Sequence, residues 1–315
     1  MSQEPTAADA PARAPARIVD AHHHLFDLDL RPRGWLHPEE PVPDAVTSLL
    51  GDVAPLRRSY RLDDYLADAL PANVVKSVHV EVERHDDPLA ETRWLQSLAD
   101  EHGFPHGIVA YAPLEDPAVG ELLQEHVRFP NVRGIRQVLN YEDEPALRFT
   151  SRPLLRDPAW RRGFSLLASR GLSFDLHVWP SQLAEAAALA REFPETQVVL
   201  DHAGVPRERD EAGLAAWRRG LAELAGQPNV AAKVSGLGMV DHTWTLESIR
   251  PLVTGVLEAF GVERCLFGSN FPVDGLYRDF EGVVAACAAI ASELGLSEGE
   301  LDALFAANAE RVYRL

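Results

Sequence analysis

The chain has 315 residues, 46% of them hydrophobic and 25% charged, an ordinary globular composition with material for one large barrel or two medium domains. Its 48 acidic against 30 basic side chains give a net charge of −18, and such a surface repels nucleic acid and anionic membranes. Two cysteines, Cys265 and Cys287, cannot build a disulfide framework, no apolar run approaches the ~18 residues of a membrane span, and a reducing cytoplasm is the expected setting.

Residues 1–16 are rich in Ala and Pro and lack the apolar core of a signal peptide, which predicts a disordered tail ahead of one domain over 17–315. Ile18 and Val19 then open a short buried strand that ends in His22-His23-His24. Strict alternation places Asp20, His22 and His24 on one face and Ala21 and His23 on the other. Two imidazoles two residues apart on one face can grip one metal ion. A long loop follows, roughly 25–60, holding Arg31-Pro-Arg-Gly-Trp-Leu36, and its Phe26, Trp35 and Leu36 serve either as a lid or as packing over the barrel mouth.

From residue 60 helices and strands alternate: helix 62–70, strand 74–83, helix 88–102, strand 107–111, helix 117–126, strand 132–137, helix 157–170, strand 172–178, helix 181–192, strand 197–202, helix 213–225, strand 230–235, helix 246–260 and strand 265–270. Helices at about 279–294 and 297–311 close the chain. Eight parallel units of this length predict a single-domain (β/α)8 TIM barrel, with a doubly wound open sheet as the alternative. No Gly-x-Gly-x-x-Gly follows any strand, which argues against a dinucleotide domain.

Barrel chemistry sits at the C-terminal strand ends. There the sequence places His22 and His24, then His79, Glu81 and Glu83, then Arg133 and Arg136, Asp175 and His177, Asp201 and His202, Lys233 and Ser235, and Gly268-Ser-Asn270. Four histidines at three strand ends imply a metal site, a general base, or both. Glu81 and Glu83 either bind metal or pair with an arginine. Arg133 or Arg136, whichever faces inward, offers a planar fork for a substrate carboxylate, and Lys233 is either a second anion contact or a structural ion pair.

Asp20-Ala-His-His-His24 resembles the first-strand His-x-His signature of the amidohydrolase superfamily. Val132-Arg-Gly-Ile-Arg136, Leu200-Asp-His-Ala-Gly204, Lys233-Val-Ser-Gly-Leu237, Phe267-Gly-Ser-Asn-Phe-Pro272 and Asn308-Ala-Glu-Arg-Val-Tyr313 are similar to its lactonase branch, which includes fuconolactonase, sulfomuconolactonase and pyrone-dicarboxylate lactonase. The resemblance spans about 18–315 and implies a (β/α)8 hydrolase. It implies His22, His24 and His177 as metal ligands and His202 as ligand or acid/base. Asn270 stands where the superfamily usually carries an aspartate that activates water or binds metal, and an amide cannot accept a proton at neutral pH.

The expectation is hydrolysis of a sugar-acid or aromatic-catabolite lactone, with His202, Glu81 and Asn270 in the catalytic set. Arg133, Arg136, Lys233 and Trp179 are the substrate contacts. The cofactor is a divalent metal, Zn or Mn, or none, since pyrone-dicarboxylate lactonase-like members do without. The partner is a small, carboxylate-bearing molecule, and the protein is a monomer or homodimer. The alternatives are a metal-dependent non-oxidative decarboxylase and a non-catalytic ligand-binding barrel. A serine hydrolase is disfavoured, because neither Lys233-Val-Ser-Gly nor Gly268-Ser-Asn carries the Gly-x-Ser-x-Gly elbow.

Overall fold

The apolar runs separated by helical segments become eight strands: β1 Ile18–His23, β2 Val74–Val80, β3 Gly107–Tyr111, β4 Val132–Arg136, β5 Ser173–Leu176, β6 Val198–Leu200, β7 Val230–Val234 and β8 Cys265–Phe267. This is seen in a computed structural model, which describes residues 14–30, 34–82 and 87–315. Most of the N-terminal tail, Arg31 to Arg33, Glu83 and His85 therefore lie outside the described residues. The strands pair in sequence order, every pair parallel. Just past β8, the Asn270 amide donates to the His22 carbonyl at 2.7 Å and the His24 amide to the Phe271 carbonyl at 2.8 Å. That seam brings the first and last strands together, and the sheet is the TIM barrel expected.

The helices between strands are α1 Asp44–Leu50, α2 Leu62–Ala69, α3 Ala90–His102, α4 Val119–His126, α5 Pro158–Phe164, α6 Leu183–Glu192, α7 Glu211–Ala225 and α8 Leu246–Phe260. After β8 come α9 Phe280–Glu293, α10 Glu298–Asp302 and α11 Asn308–Tyr313. Their starts follow side-chain capping: Asp157, Asp210, Thr245, Asp279 and Ser297 each accept a first-turn amide. Among the described residues no helix is long and apolar enough to cross a membrane.

Two elements differ from the sequence reading. Helix α1 lies inside the stretch expected to be loop. Its buried Ala45, Val46, Leu49 and Leu50 form one helical stripe, which so short a segment between prolines does not advertise. The last predicted helix is interrupted, with one wide turn over Ala303–Ala307 between α10 and α11.

The C-terminal turn closes the bottom of the barrel. Ala306, Ala309, Val312 and Tyr313 pack with Val19, Ala21, Val78, Val80, Val109, Val199, Ala231 and Leu266. Arg17, just before β1, holds Asp302 and Glu310 at 2.8 Å each. The other end, where the strands finish, is left open for chemistry.

Candidate active site

Strand β1 does not alternate through its histidines. Its register against β2 slips between Asp20 and His23, the mark of a bulge. Asp20 and His23 therefore both turn towards α2: Tyr65 donates to Asp20 Oδ2 at 3.0 Å and stacks on His23 at 3.9 Å. His22 and His24 point the other way, their Nε2 atoms 3.2 Å apart. This corrects the expected shared face of Asp20, His22 and His24. The Asp20 carboxylate instead ties the seam, accepting the Ser269 amide at 2.8 Å and its hydroxyl at 2.6 Å.

Four histidines meet at the mouth. The His22 ring lies 4.4 Å from that of His202 and 4.9 Å from that of His24, and His177 stands 5.2 Å from His202. Each of the outer three is oriented through Nδ1. His24 uses the Val80 carbonyl at 2.8 Å, His202 the Ser235 hydroxyl at 3.0 Å, and His177 the carboxamide oxygen of Asn140. With Nδ1–H donating in this way, each Nε2 keeps its lone pair for the cleft. Burial holds all four below the usual imidazole range, His24 at about 3 and His177 at about 4, so they are neutral at pH 7.

The backbone at these positions is tightly constrained. His202 lies at φ 53° and Gly236 at φ 61°, and a Cβ at residue 236 would stand 2.5 Å from His202 Nδ1. Only glycine lets that loop close over the ring.

Beneath the histidines runs a buried ionic column. Lys233 Nζ lies 2.5 Å from Asp175 Oδ2, 3.0 Å from Asp201 Oδ1 and 3.1 Å from His22 Nδ1. Tyr313 reaches up from the barrel floor and donates to Asp175 at 2.8 Å. Burial alone would push both carboxyls up. Asp175 does rise to about 6, whereas Lys233 and His22 outweigh burial at Asp201 and hold it well below the usual carboxylate range. Beside the column, Arg136 Nε donates to Glu81 at 2.8 Å, and Nη1 stands 3.6 Å from Asp201.

These contacts sort the expected site residues. His24, His177, His202, Arg136 and Asn270 line one cleft of about 620 Å³, with His22 directly below them. Of the two arginines Arg136 faces inward. Arg133 sits near the chain terminus, its Nε donating to the Arg314 carbonyl at 3.3 Å, away from the mouth. Lys233 is fully buried in the column and acts as a structural ion pair, not as an anion contact. Trp179 is also fully buried, its indole N–H donating to the Leu147 carbonyl at 2.8 Å, and it lines neither mouth cleft. Glu81 pairs with Arg136, and His79 packs towards α3, 3.5 Å from Glu91.

Two residues of the site carry no sequence signal: Asn140, which lies just past β4 in no motif, and Asp274. The Asp274 carboxyl is buried beside the Asn270 amide and pushed up by burial to about 7.

The cluster fits a divalent cation. Two imidazole nitrogens on one tetrahedral zinc, each ~2.0–2.1 Å from it, stand roughly 3.3–3.4 Å apart, close to the 3.2 Å between His22 and His24. Ligand atoms of His22, Asp201 and His202 also lie within 4.8 Å of one another, but the Lys233 ammonium already stands against Asp201 and His22 Nδ1. The Nε2 side is thus the one that suits a cation. Loading it requires His22 to carry its proton on Nδ1, facing Asp201 Oδ1 at 3.3 Å. With the proton on Nε2 instead, Lys233 donates to His22 and His22 donates to His24, so the same residues also satisfy one another without metal.

Residues 19–315 match the Amidohydrolase family. The chain is 44% identical over 301 residues to the protein y4mH of Sinorhizobium fredii, covering 95% of this chain and 98% of that one. It is 32% identical over 268 residues to an L-fucono-1,5-lactonase of Burkholderia multivorans, covering 80% of this chain and 86% of that one. Among solved structures, an amidohydrolase from Burkholderia multivorans with bound zinc aligns over 95% of this chain and 100% of that one, at 28% identity and a TM-score of 0.79. With its eight-stranded barrel and its histidines at the strand ends, this chain belongs to the amidohydrolase family.

Proposed function

We propose that the chain hydrolyses a lactone, with His202 as the proton acceptor. The observation that carries this reading is the four-histidine mouth, in which hydrogen bonds at Nδ1 aim the Nε2 atoms of His24, His177 and His202 into a cleft of about 620 Å³. The 32% identity to an L-fucono-1,5-lactonase and the lactonase-like motifs support the reaction class.

In this reading the substrate carbonyl lies against Arg136, whose inward guanidinium stabilises charge developing on the carbonyl oxygen. His202 takes a proton from the attacking water through Nε2. It returns that proton to the leaving alkoxide as the ring opens. Ser235 positions the ring through Nδ1, its hydroxyl accepting when Nδ1 carries the proton, and Gly236 leaves room for the ring. Asp201, kept ionised by Lys233, stabilises His202 while it carries the proton. His22 and His24 would hold a divalent metal, zinc or manganese, with His177 as the third ligand that the family resemblance implies, and bound there it supplies Lewis-acid polarisation and acidifies water. A neighbouring structure with bound zinc supports the first of these.

The test combines turnover of a lactone panel with elemental analysis of untagged protein purified without chelator. Ring opening that falls by about 100-fold or more in His202→Ala, within the range of a general base, is expected. So is near-stoichiometric zinc or manganese that is lost in His22→Ala. Full turnover by His202→Ala would remove it as the base, and release of CO2 from an aromatic acid in place of ring opening would replace hydrolysis with decarboxylation.

A further inference from the structure

The cleft above the histidines is walled by carbon. Phe26, Trp35, Leu36, Leu50, Phe149 and Met239 face it, while its polar groups gather on one side, at the barrel mouth. In the lactonase reading those polar groups, the histidine Nε2 atoms and the Arg136 guanidinium held by Glu81, meet the lactone group itself and not its substituents. A second cleft of about 1060 Å³ shares Trp35, Leu49, Leu50, Val82, Val138 and Phe149 with the first, so the apolar wall continues away from the histidines, and Glu81, Tyr111 and Arg148 are the polar groups on its lining. Helix α1 and the Trp35-Leu36 segment supply this hood. Trp35 and Phe149 are only half-buried, as suits the aromatic lining of a ligand cleft.

From this we infer that the site takes a lactone carrying an apolar hydrocarbon or aromatic body, and not a polyhydroxylated sugar lactone. The inference rests on the lactonase reading above and deepens it. Among the described residues, a sugar ring seated on this wall would press several hydroxyls against side chains that neither donate nor accept. Each hydroxyl left without a partner costs on the order of tenfold in binding. A hydrocarbon substituent on the ring leaves water for Leu50, Phe149 and Met239, which favours binding by about fourfold per methylene.

The experiment uses the purified full chain with its native metal content. Turnover of δ-valerolactone, δ-hexalactone and δ-decalactone is compared with that of L-fucono-1,5-lactone. The expected kcat/KM rises by about fourfold per added methylene until the cleft is filled, and δ-decalactone exceeds the fuconolactone by 100-fold or more. Phe149→Gln should lower kcat/KM for δ-decalactone about tenfold through KM, a larger loss than the same variant shows on δ-valerolactone. A flat alkyl series, or preference for the fuconolactone, overturns the inference.

If no lactone turns over at all, the reaction assignment fails, and calorimetric titration decides the pocket by itself. Saturable binding of 4-ethylphenol, weakened in Phe149→Gln and with no heat from L-fucose, keeps the apolar site. Binding of L-fucose, or of neither probe, removes it.

Discussion

Asp274 makes the stability of this protein depend on pH in a direction opposite to most carboxylates. Its side chain is buried beside Asn270, and burial raises it from the usual 3.8 to about 7, against the opposing effect of the Asn270 side chain and the Gly236 and Gly238 amides. A folded-state value above the unfolded one means that the folded protein binds more protons between the two. The stability present below about pH 4 is therefore lost as pH rises through about 7, and flattens above it. The shift of about three pKa units corresponds to about 4 kcal/mol at 1.36 kcal/mol per unit. Asp20 and Asp175, each raised to about 6, bend the curve in the same direction, so Asp274 is isolated by comparison with Asp274→Asn, which keeps the shape of the neutral acid. The assay is urea unfolding followed by far-UV circular dichroism near pH 5 and near pH 8. The variant should be the more stable protein, with its advantage widening by roughly 2–3 kcal/mol across that interval. Parallel stability curves for the two proteins would refute the burial argument.

Two further substitutions probe the scaffold under the site. Gly268→Ala would put a methyl group 2.7 Å from His22 Cβ, so it should displace His22, cost about 1–3 kcal/mol as overpacking, and lower bound metal by elemental analysis, whereas Gly299→Ala, with open space around it, serves as the control. Tyr313→Phe removes the hydroxyl that donates to Asp175 at 2.8 Å, and should lower stability by about 1.5–3 kcal/mol in thermal or urea unfolding with KM unchanged, because Tyr313 enters from the barrel floor.

The barrel was legible because its signal is periodic: eight apolar runs separated by helical segments permit few other arrangements. The histidines were legible for the same reason, since each stands where an apolar strand stops. What periodicity could not resolve is side-chain direction. Strict alternation failed in β1, where the slip between Asp20 and His23 sends Asp20 to α2 and leaves His22 and His24 at the mouth. Arg133 and Arg136, three residues apart on a straight strand, fall on opposite faces, but only the packing shows that Arg136 is the inward one. Lys233 was expected as an anion contact or a structural ion pair and Trp179 as a substrate contact, yet sequence spacing carries no depth, and both are buried below or behind the cleft. Helix α1 was lost to its shortness, and with it the Leu49 and Leu50 part of the apolar cover that Phe26, Trp35 and Leu36 had suggested.

Depth and direction also bear on Asn270, the residue that departs from the superfamily pattern. Among the described residues, and leaving Asp274 aside, Glu81, Asp175 and Asp201 face Arg136 and Lys233, three carboxylates against two cations, for one net negative charge. An aspartate at 270 would add a second, directly beside Asp274. Two adjacent buried carboxylates cannot both ionise cheaply, so one would be forced to keep its proton. The amide avoids that conflict and stays beside the Asp274 carboxyl. Asn270→Asp should therefore fail as a simple restoration. It leaves the left-handed backbone at φ 56° intact, since aspartate tolerates that region, but it should destabilise the protein near pH 8. Adding Asp274→Asn to it restores one carboxylate and one amide in exchanged positions, and the double variant should regain most of the lost stability. The coupling in this cycle should reach at least about 1 kcal/mol, as for residues in direct contact. Additive effects would mean that Asn270 and Asp274 do not sense each other, and the account of the amide would then have to rest on the cleft alone.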